Sequence, residues 1–129
     1  MFDIDSLNPE QKRAATSIEG PLLILAGAGS GKTRTVTFRI AHMVKDLRIN
    51  PKEILAVSFT NIAATEMHER VGKLLGPRLK RGITLSTFHS LAIKILREDI
   101  HLLGYSKDFT IYDSADQLSI VREALKNFK

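Results

Sequence analysis

The chain has 129 residues, of which 43% are apolar and 26% are charged. These values are typical of a globular domain and exclude a disordered or low-complexity chain. The sequence has no cysteine, which excludes disulfides and thiolate metal ligands, and its longest aliphatic run, at 21–26, is too short to cross a membrane. Because the acidic N-terminus also lacks the basic residues of a signal peptide, the sequence predicts a cytoplasmic protein without a membrane partner.

The positive charge is unevenly distributed along the chain. The formal net charge is +5, and the stretch 70–97 contains basic residues but no acidic one. Such a run is either a solvated surface or a surface that binds a polyanion, and charge alone does not decide between them. The basic residues of this run are Arg70, Lys73, Arg78, Lys80, Arg81, Lys94 and Arg97.

The first elements are a helix, a strand and a second helix. Asn8 as N-cap, Pro9 at the first helical position and Gln11 at the third predict a helix over 9–18. The continuous apolar run "LLILA" at 22–26 predicts a buried strand, and a helix over 32–45 should follow it. The core positions predicted for the second helix are Val36, Ile40, Met43, Val44 and Leu47.

The same alternation continues through the middle of the chain. "EILAVSF" at 53–59 and "GITLST" at 82–87 predict two more strands, and each is followed by a helix, the first ending at Gly76 and Pro77. Alternating strands and helices indicate an α/β fold with a parallel sheet. The core positions predicted for these two helices are Ala63, Met67, Val71, Leu74, Leu91, Ile95, Leu96, Leu102 and Leu103.

A glycine-rich loop joins the first predicted strand to the second predicted helix. Residues 26–33 match the phosphate-loop pattern G-x-x-x-x-G-K-[ST], with Ala26 as a small-residue variant of its first position. Its glycines let backbone amides turn toward phosphates, Lys32 is suited to the β- and γ-phosphates, and the Thr33 hydroxyl to Mg²⁺. Kinases, transporters, GTPases and motors all share this loop. The predicted phosphate-binding residues are Gly27, Ala28, Gly29, Ser30, Gly31, Lys32 and Thr33.

Four separated stretches together resemble motifs of the UvrD/Rep/PcrA group of superfamily-one DNA helicases, which are bacterial ATP-driven motors that move 3′ to 5′ on single-stranded DNA. "LNPEQKRA" resembles the Q motif, "AGAGSGKTRT" motif I, "AVSFTNIAATEMHERV" motif Ia and "TLSTFHSL" motif Ib. The tail "DFTIYDSADQL" resembles the start of the helical subdomain inserted in this family. The resemblance implies an incomplete RecA-like P-loop sheet with flanking helices over 1–88, and the start of the inserted subdomain over 89–129.

The resemblance assigns an adenine pocket and the cofactors ATP and Mg²⁺. Gln11 matches the glutamine that reads the adenine edge, and a side-chain amide offers the necessary donor and acceptor. Arg34 matches the arginine that lies against the adenine ring. The structural alternatives are a helix-capping role for Gln11 and a solvated surface position for Arg34.

The resemblance also assigns a DNA-binding edge. Phe59 matches an aromatic residue that stacks on a base, although a phenylalanine in isolation is more often part of the core. Thr60 is predicted to cap the next helix or contact a phosphate. The implied partner is single-stranded DNA or a single-strand/double-strand junction, with the basic run beside it. The residues carried over to this edge are Phe59, Thr60, Asn61, Thr87, His89 and Ser90.

Motif Ia departs from the family pattern at two positions. The family commonly reads "TFTNKAA", whereas this chain has Ser58 and Ile62. An apolar residue therefore stands where the resemblance implies a lysine that contacts a phosphate. We expect DNA affinity at this motif to be weaker or differently distributed.

A motor that hydrolyses ATP also needs an adjacent acidic pair after a buried strand. "FTIYD" imitates this arrangement, but Ser114 follows Asp113 where the second acid should be, so Asp113 is predicted to be a turn or cap residue of a helix with a Ser114/Gln117 capping box. Glu98 and Asp99 lie within a predicted helix and are more simply surface charges.

The sequence therefore predicts an N-terminal helicase fragment that does not hydrolyse ATP by itself. Its expected partners are the remaining motor domains of the same polypeptide, and an exposed sheet edge offers a contact through which the fragment would dimerise. The alternative is a stand-alone P-loop nucleotide-binding module. A small P-loop kinase is disfavoured because the sequence shows no lid with catalytic arginines.

Overall fold

The computed structural model describes residues 2–27 and 29–127, with the side chain of residue 127 left out. The described residues form an α/β fold, as predicted. The helices are α1 (Pro9–Thr16), α2 (Lys32–Lys45), α3 (Asn61–Lys80), α4 (Phe88–Asp99) and α5 (Ser114–Asn127), and the strands are β1 (Leu55–Ser58) and β2 (Thr84–Thr87). Short 3₁₀ segments occur at Ile4–Ser6, Pro51–Glu53 and Ile100–Leu103.

The two strands form a parallel pair, which confirms the predicted strand direction. Leu55 lies opposite Thr84 and Ser58 lies opposite Thr87, with α3 as the connection between the strands. The carboxyl ends of β1 and β2 therefore lie at the same edge, and the segments that follow both strands begin side by side.

The predicted first strand is wrong. Residues 21–27 are all described, and none belongs to a helix or strand; Leu23 and Leu25 are 80% and 86% exposed. A continuous apolar run favours a strand, but a strand also needs a neighbour that pairs with its backbone amides and carbonyls. Among the described residues β1 and β2 pair with each other, and neither is paired with this segment.

The core lies where α2 and α3 pack against the strands. Its residues come from the inner faces of the two helices and from the positions that lead into the strands. Val71 in the middle of α3 is completely buried, and a smaller cluster formed by Leu7, Ala15 and Phe38 joins α1 to α2. The main cluster comprises Ile40, Ala41, Val44, Ile54, Met67, Val71, Leu75 and Ile83.

Helical periodicity predicted the interior of α2 and α3 correctly and their margins less well. Ile40, Val44, Met67 and Val71 are buried, as expected. The predicted core positions Val36 and Leu47 are exposed, since they lie at the edge of the buried stripe or beyond the end of the helix. The partly buried positions are Met43, Ala63 and Leu74.

The predicted stop at Gly76 and Pro77 is a kink in α3. Gly76 has φ +78° and ψ 166°, a backbone conformation that is not helical. Pro77 then starts a further helical turn that ends at Lys80. Proline fits the first position of a helical turn but not its interior, so the break falls before it.

Residue contacts divide the chain into two compact units, with the division between Leu91 and Ala92. The predicted boundary after residue 88 stays a prediction. In the second unit the predicted core positions Ile95, Leu102 and Leu103 are exposed, because its described elements do not cover them. Leu96 is exposed as well, and Leu91, at the end of the first unit, is half-buried.

The cap of α5 differs from the prediction by one residue. The Asp113 carboxylate accepts hydrogen bonds from the amides of Ala115 (2.8 Å) and Asp116 (2.9 Å), and the Asp116 carboxylate accepts from the Asp113 amide (3.1 Å). The capping pair is thus Asp113/Asp116 and not Ser114/Gln117, because Asp113 lies outside the helix, where an N-cap must lie. The predicted cap role of Asp113 is confirmed.

None of the helices within the described ranges combines the length and the apolar composition that a bilayer crossing requires.

Replacing Gly82 with alanine should lower the free energy of unfolding by about 1–3 kcal/mol, because a Cβ there would lie 2.7 Å from Cβ of Pro51 and 3.5 Å from the amide nitrogen of Lys52. The matched control is Gly72→Ala in α3, whose new Cβ meets only the flexible Lys80 side chain and which gains up to about 1 kcal/mol of helix propensity. Urea denaturation of both variants measures the difference. Equal stability of the two would contradict the close packing of Gly82 against Pro51.

Candidate nucleotide and nucleic-acid site

Gln11 connects α1 to the glycine-rich loop. The Asn8 side chain accepts a hydrogen bond from the Gln11 amide (2.8 Å), and Oε1 of Gln11 accepts one from the Asn8 amide (3.4 Å), which confirms the predicted cap. Nε2 of the same side chain donates to the carbonyl of Ser30 (3.0 Å). The helix cap therefore positions Gln11 against the loop. Gln11 thus caps α1 and lies at the candidate site at the same time.

Left-handed glycines shape the loop. Gly29 has φ +74° and Gly31 has φ +87°, and a Cβ on Gly31 would lie 2.7 Å from Nε2 of Gln11. The positive φ of Gly31 favours glycine, and a side chain there would also displace the end of the Gln11 side chain from its contact with the loop. Ser30 Oγ donates to the Gly27 carbonyl (2.7 Å) and closes the turn. The predicted site residue Ala28 lies outside the described residues.

Lys32 places a positive charge inside this loop. It is the first residue of α2, and its Nζ donates to the carbonyls of Ala26 (2.9 Å) and Gly27 (2.7 Å). The first backbone bond at this end of α2 runs from Thr35 to the Gly31 carbonyl (2.9 Å). The amides of residues 32–34 have no acceptor within the helix, and the helix dipole adds positive potential there. An ammonium group beside amides that have no acceptor within their helix fits a phosphate group.

One cavity brings together three of the predicted nucleotide-binding residues. Gln11, Ser30 and Lys32 line a space of about 240 Å³ between α1 and the loop. The half-buried Thr33 follows Lys32 on α2. The donors of this site are side-chain amide, ammonium and backbone N–H groups, which are suited to a polyphosphate and to a polar base edge.

Arg34 lies in a different environment from Gln11. Its Nη2 donates to the carbonyl (3.0 Å) and the hydroxyl (3.2 Å) of Ser6, and its guanidinium carbon lies 5.4 Å from the centre of the Phe38 ring. It lines a second cavity of about 220 Å³ with Thr37 and Phe38. The planar group is available for stacking, but its contact with adenine stays a prediction.

The predicted DNA-binding residues follow the two parallel strands. Phe59 comes directly after β1, and its side chain is 80% exposed, which argues against the core alternative. The hydroxyl of Thr60 accepts from the amide of Ala63 (3.2 Å) and caps α3, and Asn61 is exposed beside it. The cap fixes the start of α3 two residues after Phe59, at the carboxyl end of β1.

The residues after β2 have more varied roles. Thr87 is buried; its hydroxyl accepts from the Ser90 amide (3.2 Å) and donates to the Ser90 hydroxyl (3.0 Å), so this pair caps the start of α4. His89 between them is exposed. A phosphate contact from Thr87 must compete with its capping bonds, whereas His89 is open to solvent.

A cavity of about 540 Å³ lies between α3 and β2 at this edge, and Asn61, Thr87 and Ser90 line it. Its further lining includes His68 and Ser86, which lie within the stretches that resemble motifs Ia and Ib but were not among the predicted site residues. The buried Ser86 hydroxyl has no hydrogen-bond partner among the described residues. The spacing of Asn61, Thr65 and His68 on one face of α3 is the sequence signal that could have found the helical side of this cavity.

The fold and the site together define an α/β protein with a glycine-rich loop before a helix and aromatic and polar residues at the edge of its sheet. The family model of the UvrD/REP helicase N-terminal domain matches residues 7–129, so the chain belongs to the UvrD/REP helicase family.

Curated relatives agree with this family. The chain is 50% identical over 123 residues to the ATP-dependent DNA helicase PcrA of Bacillus subtilis (strain 168), which covers 95% of this chain and 16% of the relative. It is 49% identical over 123 residues to the PcrA helicase of Leuconostoc citreum, and this match covers 95% of this chain and 16% of the relative. It is 48% identical over 124 residues to the PcrA helicase of Staphylococcus aureus (strain Mu50 / ATCC 700699), and this match covers 96% of this chain and 17% of the relative. The chain thus spans about a sixth of the length of these relatives.

Proposed function

We propose that this chain is the ATP-binding N-terminal part of a DNA helicase that couples ATP hydrolysis to 3′-to-5′ translocation on DNA and to its unwinding. The observation that carries the proposal is the cavity lined by Gln11, Ser30 and Lys32 at the start of α2. Relatives named as ATP-dependent DNA helicases support it. On this proposal residues 1–88 belong to a RecA-like motor domain and residues 89–129 begin an inserted helical subdomain.

Binding of the triphosphate uses groups that already surround the loop. The Lys32 ammonium exchanges the carbonyls of Ala26 and Gly27 for the β- and γ-phosphates, and the exposed carbonyls return to water. The backbone amides of the loop and of the α2 N-terminus donate to the other phosphate oxygens. Thr33 would hold Mg²⁺, which neutralises phosphate charge when bound. The phosphate-binding set is Gly27, Ala28, Gly29, Ser30, Gly31, Lys32 and Thr33.

Recognition of the base uses Gln11 and Arg34. The Gln11 amide, now bonded to Ser30, has a donor and an acceptor of the kind that an adenine edge requires. Arg34 leaves Ser6 and places its guanidinium plane against the adenine ring. Since α1 and α2 contribute one residue each, the bound base would contact both helices, which already pack against each other.

DNA binding uses the edge formed by the carboxyl ends of β1 and β2. Phe59 stacks on a base of the single strand, or of a single-strand/double-strand junction, since its ring is exposed and tolerates any base. Hydroxyl, imidazole and amide groups along the same edge contact the backbone. The polar residues assigned to it are Thr60, Asn61, Thr87, His89 and Ser90. Some of Lys73, Arg78, Lys80 and Arg81 supply the positive potential that tracks phosphates.

The groups that cleave ATP are proposed to lie in other motor domains of the same polypeptide. The chain contributes Lys32, which stabilises charge on the transferred phosphoryl group, and it holds no adjacent acidic pair after a strand among its described residues. Alone, the chain is therefore proposed to bind ATP without turnover. The strand β1 pairs on one edge with β2, and in the isolated chain copies would associate through a free sheet edge.

A nucleotide titration tests the adenine part of this function. We expect the chain to bind fluorescent Mg·ATP about tenfold more tightly than the matching Mg·GTP, because Gln11 satisfies the adenine edge. Gln11→Ala should lower this ratio to near one, an effect that loss of the helix cap alone does not produce. The matched control is Gln117→Ala on α5. Equal affinity for both nucleotides in the unaltered chain would contradict the assignment.

A further inference from the structure

We propose that Ile62 extends the DNA-binding surface of Phe59 by packing its apolar side chain against a base of the single strand. The inference rests on the proposed function of the β1 edge. Ile62 is 83% exposed and lies three residues after Phe59, which is 80% exposed. Two large apolar side chains are thus left in solvent at the one place where a base-stacking residue is predicted.

The exposure of Ile62 follows from its position on α3. At 100° per residue, Ile62 and Val71 lie roughly 180° apart around the helix axis. Val71 is completely buried in the main core cluster, so Ile62 points away from that core. A polar residue at position 62 would leave the packing of α3 unchanged. The side chain therefore has no role in holding the described core together.

The backbone at Ile62 is suited to a phosphate next to that base. Ile62 is the second residue of α3, where amides have no acceptor within the helix. The Thr60 side chain satisfies the amide of Ala63, and the Thr60 carbonyl satisfies that of Ala64. The amides of Asn61 and Ile62 remain available, and the positive end of the helix dipole lies there.

The charge on the next turn does not oppose a nucleic acid. Glu66 lies one turn after Ile62, and its carboxylate is paired with the guanidinium of Arg70. This pair offsets part of the repulsion that an unpaired carboxylate would exert on a phosphate, since both side chains are partly exposed to solvent. Next to Ile62 the helix end thus offers donors and a paired carboxylate, and the next acidic residue on the same face, Glu69, lies about 10 Å further along α3.

An apolar contact has a different salt dependence from an ionic one. A lysine that neutralises a phosphate releases a counterion and steepens the fall of affinity with salt, whereas an isoleucine that packs on a base does not. In this chain, position 62 should therefore add affinity that persists at high salt. Compared with a lysine at this position, the isoleucine would contribute its part of the DNA affinity through the bases and not through the phosphate backbone.

The test measures binding of fluorescein-labelled oligothymidylate across a salt series for the unaltered chain, Ile62→Ala, Ile62→Lys and Phe59→Ala. Ile62→Ala should weaken binding about fivefold at every salt concentration, with an unchanged slope. Ile62→Lys should steepen the slope of log affinity against log salt by about 0.7. On an abasic oligomer of equal charge, Ile62→Ala should have no effect, because the base is missing. Ile120→Ala, at an exposed isoleucine of α5, is the matched control.

The outcomes separate this inference from the function on which it rests. If Phe59→Ala weakens binding and Ile62→Ala does not, the Ile62 contact is wrong and the DNA-binding edge stands. If neither variant changes binding, or the unaltered chain does not bind, the proposed edge fails and the inference fails with it. An equal loss on the abasic oligomer would also overturn the inference, since the contact would then be with the backbone.

Discussion

Replacing Lys32 with alanine should lower the affinity of the chain for Mg·ATP about a hundredfold. Lys32 is the cation within the loop, and a charge-assisted hydrogen bond to each of two phosphates contributes about 1.5 kcal/mol or more. The side chain is exposed, and the carbonyls of Ala26 and Gly27 that it now contacts can bind water instead. The variant should therefore keep its fold while it loses nucleotide, which circular dichroism and isothermal titration calorimetry measure together.

The matched control for this variant is Lys45→Ala. Lys45 ends the same helix, about 20 Å from Lys32 along its axis, so it tests the loss of one positive charge away from the loop. We expect its nucleotide affinity to equal that of the unaltered chain. ATP hydrolysis should stay at the background rate in all three proteins. Turnover by the unaltered chain above that of Lys32→Ala would show that the chain contains a complete catalytic site.

Replacing Phe59 with alanine should weaken binding of single-stranded DNA about tenfold, which corresponds to the loss of one base stacked on an aromatic ring. Because the Phe59 side chain is 80% exposed, its removal creates no cavity and should not change the free energy of unfolding. Fluorescence anisotropy with a labelled oligonucleotide measures the affinity, and urea denaturation checks the fold.

Two control variants distinguish stacking from charge at this edge. Phe59→Tyr keeps the ring and should keep the affinity. The double variant Lys80→Ala/Arg81→Ala should reduce the slope of log affinity against log salt by up to about 1.4. Phe59→Ala should leave this slope unchanged, because phenylalanine releases no counterion. If neither Phe59→Ala nor the double variant alters affinity or its salt dependence, the DNA interpretation of motif Ia and of the basic run is wrong.

Local signals in the sequence were sufficient for most helices. Asn8, Pro9 and Gln11 predicted the start of α1, and the cap of Asn8 is present in the structure. The span 32–45 predicted for α2 agrees with Lys32–Lys45. Capping and helical periodicity involve residues within four positions of one another, so a single sequence contains the information that they need.

Pairing and packing were harder to predict because their partners are distant in sequence. The run at 22–26 has strand composition, but without a neighbour it remains irregular, and Leu25 is in solvent. The second unit shows the same effect, since the apolar pairs Ile95/Leu96 and Leu102/Leu103 lie seven residues apart, as on one face of a helix, and yet stay exposed. Composition indicates which residues favour burial, whereas only a second element can bury them.

The sequence by itself determined the candidate loop, the helix caps around it and the family to which the chain belongs, because each depends on a short ordered set of residues. Only the tertiary structure decided which of them meet. Parallel pairing of β1 with β2 places the segment after Ser58 beside that after Thr87, and packing of α1 on α2 brings Gln11 to Ser30. It also places Arg34 against Ser6 and Phe38, where it lines a different cavity from Gln11, and leaves Ile62 in solvent. Such contacts join residues far apart in the chain, and no local pattern records them.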